Sequence, residues 1–185
     1  MGNSQTHFSD EKLEYYHKEC TFFSKNDILR IYRKFKSLDD SVPDKYSKAY
    51  RIPKEKLWKM KELEENPFRD RIYHVFSTDQ VDSLNFDEFL DMHSVFNSQA
   101  PSGIKIAYLF KIYDMDNDSK LGRNDLLAVL DRITDSSLET SERNEIIDKI
   151  FEESNWNGDD VLDFYEFEQV LAKAPYFLST LNLRF

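Results

Sequence analysis

The sequence DMDNDSKLGRND at residues 114–125 decides the fold. Asp114, Asp116 and Asp118 stand at alternate positions directly after an apolar stretch, and Lys120 and Asp125 follow in the same segment. In a twelve-residue loop of this layout, positions 1, 3 and 5 supply side-chain oxygens, position 7 a backbone carbonyl and position 12 a carboxylate. A hard divalent cation needs this many oxygens because each one replaces a water molecule. The segment therefore predicts a cation-binding loop between two helices.

A second loop with the same spacing lies further along the chain. Its positions 1, 3, 5, 7, 9 and 12 are Asn155, Asn157, Asp159, Val161, Asp163 and Glu166. Apolar residues flank both loops at intervals of three and four, which places them on one face of a helix. Two such helix–loop–helix units can bury their apolar faces against each other. The sequence therefore predicts a pair of metal-binding EF-hands over residues 104–174.

Both loops depart from the usual form. Position 6 normally holds glycine because the chain takes a positive φ there. Ser119 and Asp160 stand at that position at a cost of about 1 kcal/mol, so we expect weakened affinity rather than lost binding. At position 12, Asp125 is one methylene shorter than Glu166. Our hypothesis is that the first loop holds Mg²⁺, which prefers a six-coordinate shell, and that the second loop senses Ca²⁺.

The composition narrows the class of protein. The 185 residues include 35 acidic and 25 basic side chains, and the formal charge of −10 argues against nucleic acid as a main partner. Cys20 is the only cysteine, so an internal disulfide is impossible and a reducing cytosol is the expected setting. No apolar stretch approaches the roughly 20 residues of a membrane span. A Gly-rich phosphate loop, an HExxH motif and a nucleophile elbow are all absent from the sequence, so we expect no catalysis.

The N-terminal half contains two weaker versions of the same unit. The loop over residues 77–88 ends in Glu88, but Val81 brings no side-chain oxygen at position 5, so we predict that this hand holds no metal. Before it, Ser24 with Asp27 resembles a capping box that opens a helix. The stretch over residues 39–52 then has the wrong length for a loop, and a helical pattern resumes over residues 54–63. We expect this first hand to hold no ion either.

The predicted fold class is all-α, with four EF-hands in two pairs and short β bridges between paired loops. We expect an N-terminal extension over residues 1–23, a degenerate pair over 24–98, the metal-binding pair over 104–174 and an apolar tail over 175–185. The tail either packs on the core or lies in the groove of the hand pair as a displaceable internal ligand. At the other end, Gly2 fits the N-myristoylation pattern, and one such chain binds a membrane only weakly.

The chain resembles the calcium- and integrin-binding proteins over essentially its whole length. The stretches that carry the resemblance are MGN at 1–3, TFF at 21–23, ENPFRDRI at 65–72, FKIYD at 110–114, KAP at 173–175 and FLST at 177–180. An aspartate such as Asp125 at position 12 of the third hand is also typical of that family. The total length and the ending are nearest to the branch associated with hair-cell mechanotransduction channels.

The resemblance implies a small cytosolic protein, often myristoylated, that sits peripherally at the plasma membrane through a protein partner. It implies two silent N-terminal hands and two metal-binding C-terminal hands. It also implies binding of amphipathic helices from membrane proteins, including integrin α-subunit tails and transmembrane channel-like subunits of mechanotransduction complexes. Asn155 departs from the usual Asp at the first position of the fourth loop and lowers the Ca²⁺ affinity expected there.

The leading interpretation is a Ca²⁺- and Mg²⁺-responsive adaptor that clasps an amphipathic helix in a hydrophobic groove. The candidate groove residues are Phe89, Met92, Leu109, Phe110, Leu126, Val129, Leu130, Phe151 and Leu171. Each of them also fits an ordinary core position. The alternatives are a cytosolic Ca²⁺ buffer without a target, or the regulatory subunit of a phosphatase or kinase.

Overall fold

The computed structural model describes residues 8–78 and 83–173, with the backbone alone at Cys20. Its helices are α1 Asp10–Tyr15, which continues as a π-helical turn Tyr16–Cys20, α2 Lys25–Leu38, α3 Lys54–Leu57, α4 Arg69–Phe76, α5 Phe86–Val95, α6 Ser102–Tyr113, α7 Arg123–Ile133, α8 Thr140–Ser154 and α9 Phe164–Ala172. Its strands are β1 Arg51–Pro53, β2 Ser83–Asn85, β3 Leu121–Gly122 and β4 Val161–Leu162. The lipidation candidate Gly2, the loop residue Val81 and the tail over residues 175–185 lie outside the described residues.

Short antiparallel bridges join the paired loops, as the sequence predicts. In the bridge between β1 and β2, Ile52 lies opposite Leu84, and in the bridge between β3 and β4, Leu121 lies opposite Leu162. None of these four side chains is more than 1% exposed. Each bridge therefore fastens two hands together at an apolar contact that neither hand could bury alone. The predicted helical fold with small two-stranded sheets is confirmed.

Helix α2 begins at the predicted capping box. The backbone N–H of Asp27 donates to the Ser24 hydroxyl at 3.3 Å, and the backbone N–H of Ser24 donates to the Asp27 carboxylate at 3.3 Å. The two bonds satisfy donors that the first turn of a helix leaves without partners. The buried face of α2 then carries Ile28, Ile31 and Phe35 into the N-terminal core.

The helix predicted over residues 54–63 is wrong in its second half. Helix α3 ends at Leu57, and turns follow, in which the N–H of Met60 donates to the carbonyl of Leu57 and the N–H of Leu63 donates to the carbonyl of Met60, both at 3.0 Å. Bonds between residues three apart turn every third side chain to the same side. Leu57, Met60 and Leu63 are therefore all buried, although a sequence pattern with this spacing also fits an α-helix.

Two apolar cores organise the described residues. The N-terminal core gathers side chains from α2, α4 and α5, among them Phe35 and Phe86. The C-terminal core gathers side chains from α6 to α9, among them Phe110. The N-terminal core also takes in Ile112 from α6 and Val129 from α7. The two hand pairs therefore share apolar contacts and do not form independent cores.

The segment before α2 packs onto the N-terminal core. Phe8 is 4% exposed, and its ring centroid lies 4.7 Å from that of Tyr32 and 5.4 Å from that of Phe86. The Tyr16 hydroxyl, also from this segment, donates a hydrogen bond to the Asp87 carboxylate at the start of α5. Residues 8–23 of the predicted N-terminal extension therefore belong to the folded body. Within the described ranges, no helix combines the length and the apolar character that crossing a membrane requires.

We expect Phe8→Ala to lower the free energy of unfolding by about 3–5 kcal/mol because it empties an aromatic site in the core. Equilibrium urea unfolding measures the change. The matched control is Tyr15→Ala, since Tyr15 belongs to the same segment but is 51% exposed, and this variant should change stability by no more than about 0.5 kcal/mol. Equal stability of the two variants would show that the segment does not contribute to the core.

Candidate metal centre

The loop between α6 and α7 brings the three predicted aspartates together. Asp114 directly follows the last residue of α6, and Asp116 and Asp118 come next. One carboxylate oxygen from each of the three lies within 4.8 Å of those of the other two. Oxygens that share a Ca²⁺ ion each lie about 2.3–2.6 Å from it, so these separations fit one ion. Asp114 is buried, and the other two are exposed.

Backbone N–H groups hold these carboxylates in place. Asp114 accepts hydrogen bonds from the N–H of Asp118 at 3.1 Å and of Ser119 at 2.9 Å. Asp118 in turn accepts from the N–H of Lys120 at 2.8 Å. Burial raises the pKa of the Asp114 carboxyl above its usual value, and the hydrogen bonds from the loop N–H groups oppose that shift. The loop is therefore wrapped around its own carboxylates with their oxygens converging.

The twelfth residues of both metal loops occupy equivalent places. Asp125 accepts from the N–H of Met115 at 2.8 Å and of Gly122 at 2.9 Å. Glu166 accepts from the N–H of Trp156 at 2.9 Å, and also from the ninth residue of its loop at 3.1 Å. In each loop the two donors are the second and the ninth residues. The shorter Asp125 therefore closes its loop in the same way as the glutamate.

The loop between α8 and α9 is also held by hydrogen bonds from its own backbone N–H groups to its side-chain oxygens. The side-chain oxygen of Asn155 accepts from the N–H of Gly158 at 2.9 Å, and that of Asn157 accepts from the N–H of Asp159 at 2.9 Å. Asp163 accepts from the N–H of Glu166 at 2.8 Å, so one of its oxygens caps α9. Because positions 1 and 3 are amides here, three of the predicted ligand side chains carry a negative charge, against four in the loop from Asp114.

Both loops contain the strained residue that the sequence predicts. Ser119 has φ 67° and Asp160 has φ 60°, so position 6 is left-handed in both loops without glycine. Position 4 is left-handed as well, with φ 60° at Asn117 and φ 73° at Gly158. The conformation of position 4 was not predicted from the sequence, although asparagine and glycine are the residues that tolerate it best.

The donor set fits a hard divalent cation, because it consists of carboxylate, amide and backbone carbonyl oxygens. The residues that would hold the ions remain those predicted: Asp114, Asp116, Asp118, the Lys120 carbonyl and Asp125 in one loop, and Asn155, Asn157, Asp159, the Val161 carbonyl, Asp163 and Glu166 in the other. The side chain of Lys120 also reaches towards the second loop, with its ammonium 3.9 Å from the Asp159 carboxylate.

Arg71 is a buried contact of the first metal loop that sequence reasoning missed. From α4 its guanidinium donates to the carbonyls of Lys111 at 3.0 Å and of Ile112 at 3.4 Å, and also to the carbonyl of Asp114. It donates in addition to the side-chain oxygen of Asn117 at 3.0 Å. Burial lowers the pKa of Arg71 and nearby carboxylates oppose the shift. This side chain satisfies the last carbonyls of α6, where a positive charge also stabilises the helix dipole.

The candidate groove residues divide between the two cores. Phe89, Met92 and Val129 lie in the N-terminal core. In the C-terminal core lie Leu109, Phe110, Leu126 and Leu171, with Phe151 partly buried against it. Leu130 is 9% exposed. All of them except Phe151 are therefore buried, and the groove stays a prediction.

These loops, bridges and helices define an EF-hand protein of the calcium-binding class. The pattern of the EF-hand domain pair matches residues 104–172. The chain is 43% identical to calcium and integrin-binding family member 2 of Drosophila melanogaster and 43% identical to the Homo sapiens protein of that name, in both cases over the full length of both chains. It is 37% identical to human family member 3, again over the full length of both chains.

The chain therefore belongs to the calcium and integrin-binding family, and the resemblance seen in its motifs is confirmed. Proteins of this family are non-enzymatic calcium-binding proteins, which confirms the expectation that the chain is not an enzyme.

We expect Ser119→Gly to tighten cation binding by the first metal loop about fivefold, because it removes about 1 kcal/mol of left-handed strain from the closed loop. Calorimetric titration with Ca²⁺ and Mg²⁺ measures the change. Ser119→Ala is the matched control, since it also removes the hydroxyl but keeps the strain. If the two variants bind equally tightly, backbone strain at position 6 does not limit the affinity.

Proposed function

We propose that this protein is a Ca²⁺- and Mg²⁺-responsive adaptor that binds an amphipathic helix from the cytoplasmic part of a membrane protein. An integrin α-subunit tail is one candidate partner, since the relatives carry integrin binding in their names. A channel subunit of a mechanotransduction complex is the other. The protein would act from the cytoplasm at the plasma membrane, with a myristoyl group on Gly2 adding weak membrane affinity.

The observation that carries this proposal is the direct bond between a cation loop and the other half of the molecule. Arg71 lies on α4 in the N-terminal pair and donates to the first and fourth residues of the loop from Asp114. A pure buffer needs only the two loops and no such connection. Because the same guanidinium also holds the end of α6, a change in that loop would act on α4.

A second contact ties the following helix of the same hand to α4. Arg132 from α7 forms a bidentate ion pair with Asp70, in which its two terminal nitrogens lie 2.6 Å and 3.0 Å from the two carboxylate oxygens. It also donates to the carbonyl of Pro67 at 2.9 Å. Both helices of the first metal hand are therefore fastened to residues 67–71. Ion binding in sensor EF-hands changes the angle between these two helices. Such a change here would move α4 or break these bonds.

The partner helix in this proposal presents apolar anchors at positions i, i+3 or i+4 and i+7. It would enter between the side chains predicted to form the groove, all of which except Phe151 are buried in the described structure. The apolar tail over residues 175–185 is proposed to occupy the same groove in the absence of a partner and to be displaced by it.

The test is whether cation and partner helix change each other's affinity. Trp156 is 59% exposed and its N–H donates to Glu166, so its fluorescence reports on the second metal loop. Trp58→Phe removes the other tryptophan. We expect an amphipathic integrin α-tail peptide to tighten or weaken cation binding by about 5–150-fold, and the cation to change peptide affinity by the same factor.

In the same background, Arg71→Ala should reduce this coupling, because it removes the contact between the loop and α4. Arg33→Ala, an exposed position on α2, should leave it intact. Peptide binding that is independent of the cation in the wild-type protein would contradict the adaptor and favour a buffer. Coupling that survives Arg71→Ala unchanged would show that it takes another route.

We further propose that the loop from Asp114 holds Mg²⁺ and that the loop from Asn155 responds to Ca²⁺. The side chain of Asp125 supports a small shell, because it is one methylene shorter than that of Glu166 and reaches an ion less easily as a bidentate ligand. Asp125→Glu should shift the preference of the first loop towards Ca²⁺ by about tenfold, or about 1.4 kcal/mol. Competitive calorimetry measures the ratio, and Glu166→Asp is the reciprocal control. An unchanged ratio in Asp125→Glu would overturn the assignment.

A further inference from the structure

A basic side chain of the first hand enters the loop of the second hand. The sequence predicts that this second loop holds no metal. The Arg51 guanidinium on β1 reaches across the bridge into the loop over residues 77–88. Its Nη2 lies 2.9 Å and 3.2 Å from the two carboxylate oxygens of Glu88 and 2.9 Å from the carbonyl oxygen of Ser83. The same nitrogen donates to the Ser77 hydroxyl at 3.3 Å.

These acceptors stand at cation-ligand positions. Ser77, Ser83 and Glu88 are the first, seventh and twelfth residues of the loop, the positions that give an ion a side-chain oxygen, a backbone carbonyl and a bidentate carboxylate. Glu88 also accepts from the N–H of Thr78 at 2.9 Å and of Asn85 at 2.8 Å. Those donors are the second and ninth residues, the same pair that closes both metal loops. Glu88 therefore closes the described part of this loop in the way that Asp125 and Glu166 close theirs.

Burial explains why this loop needs a positive charge. The Glu88 side chain is 5% exposed and that of Arg51 is 20% exposed. A carboxylate removed from water is strongly destabilised unless a cation pairs with it. A planar guanidinium can donate to several oxygens at once, which suits a site built to surround an ion. Arg51 meets this requirement from within the chain.

We propose that the Arg51 guanidinium is the resident cation of the second hand, and that removing it opens a weak Ca²⁺ and Mg²⁺ site made by Ser77, Ser83 and Glu88. The N-terminal pair then keeps its closed shape at every Ca²⁺ concentration. This inference does not depend on the adaptor function, because it concerns only the N-terminal pair.

The first hand provides a parallel. Asp39 directly follows α2, just as the first residue of each other loop directly follows a helix. Lys56 is the third residue of α3, which is the position that Glu88 occupies in α5. The Lys56 ammonium lies 2.6 Å from the Asp39 carboxylate and holds the pKa of that carboxyl well below its usual range. A basic side chain thus joins the two ends of this longer loop. Both hands of the N-terminal pair contain a cation supplied by the chain.

The experiment follows backbone amide signals by NMR in the full-length protein after Ca²⁺ has saturated the C-terminal loops. In Arg51→Ala, further Ca²⁺ should shift the signals of Thr78, Ser83 and Asn85 in a saturable way, with a Kd on the order of 10⁻³ M. The wild-type signals should not move in this range. The matched control, Arg51→Ala combined with Glu88→Gln, lacks the carboxylate and should lose the response.

Absence of a response in Arg51→Ala would overturn the proposal, as would an equal response in the wild-type protein or in the double variant. If Arg51→Ala does not fold, a measurement on the wild-type protein tests the proposal instead. The Arg51 Nε–H donates to the Ser83 hydroxyl at 2.9 Å, so its signal should exchange slowly with water and stay unchanged between zero and saturating Ca²⁺. Exchange as fast as that of a free guanidinium would refute the resident-cation assignment.

Discussion

The carboxylate at the twelfth loop position is the group on which the hands depend. Glu88, Asp125 and Glu166 each accept N–H bonds from the second and ninth residues of their own loops. One side chain thereby closes the loop, caps the helix that follows and fixes the strand between them. It also concentrates negative charge at a buried point, and that charge requires a positive partner.

The source of that positive partner separates the two halves of the molecule. In the C-terminal pair, the loop from Asp114 has converging carboxylate oxygens that suit an ion from solution. In the N-terminal pair, on the assignment proposed above, Arg51 and Lys56 supply the charge. On this assignment the N-terminal pair keeps one conformation while the C-terminal pair responds to the cation. Contacts of Arg71 and Asp70 connect the two pairs. A regulator needs such a fixed body, because a helix that reorients can act only against something that stays in place.

The sequence predicts the local chemistry well and the long-range contacts poorly. Fixed spacing within twelve residues predicted the positions of both C-terminal loops, the bridges and the strained Ser119, since these depend on near neighbours. It could not identify Arg51 or Arg71, whose partners lie more than 25 residues away along the chain. Helical periodicity also predicts which face of a helix is buried, but not the core in which that face lies. Phe89 and Leu109 therefore looked like one groove and lie in different cores.

The sharing of apolar side chains between the pairs limits how the molecule can be divided. Ile112 and Val129 come from the C-terminal pair but are buried in the N-terminal core. A proteolytic fragment that carried only the two cation loops would expose both of them to water and leave carbonyls at the end of α6 without the Arg71 donor. Such a fragment would be prone to aggregate in isolation and would tend to reassociate with the N-terminal fragment. The integrity of the polypeptide is thus itself a requirement for the stability of the C-terminal pair.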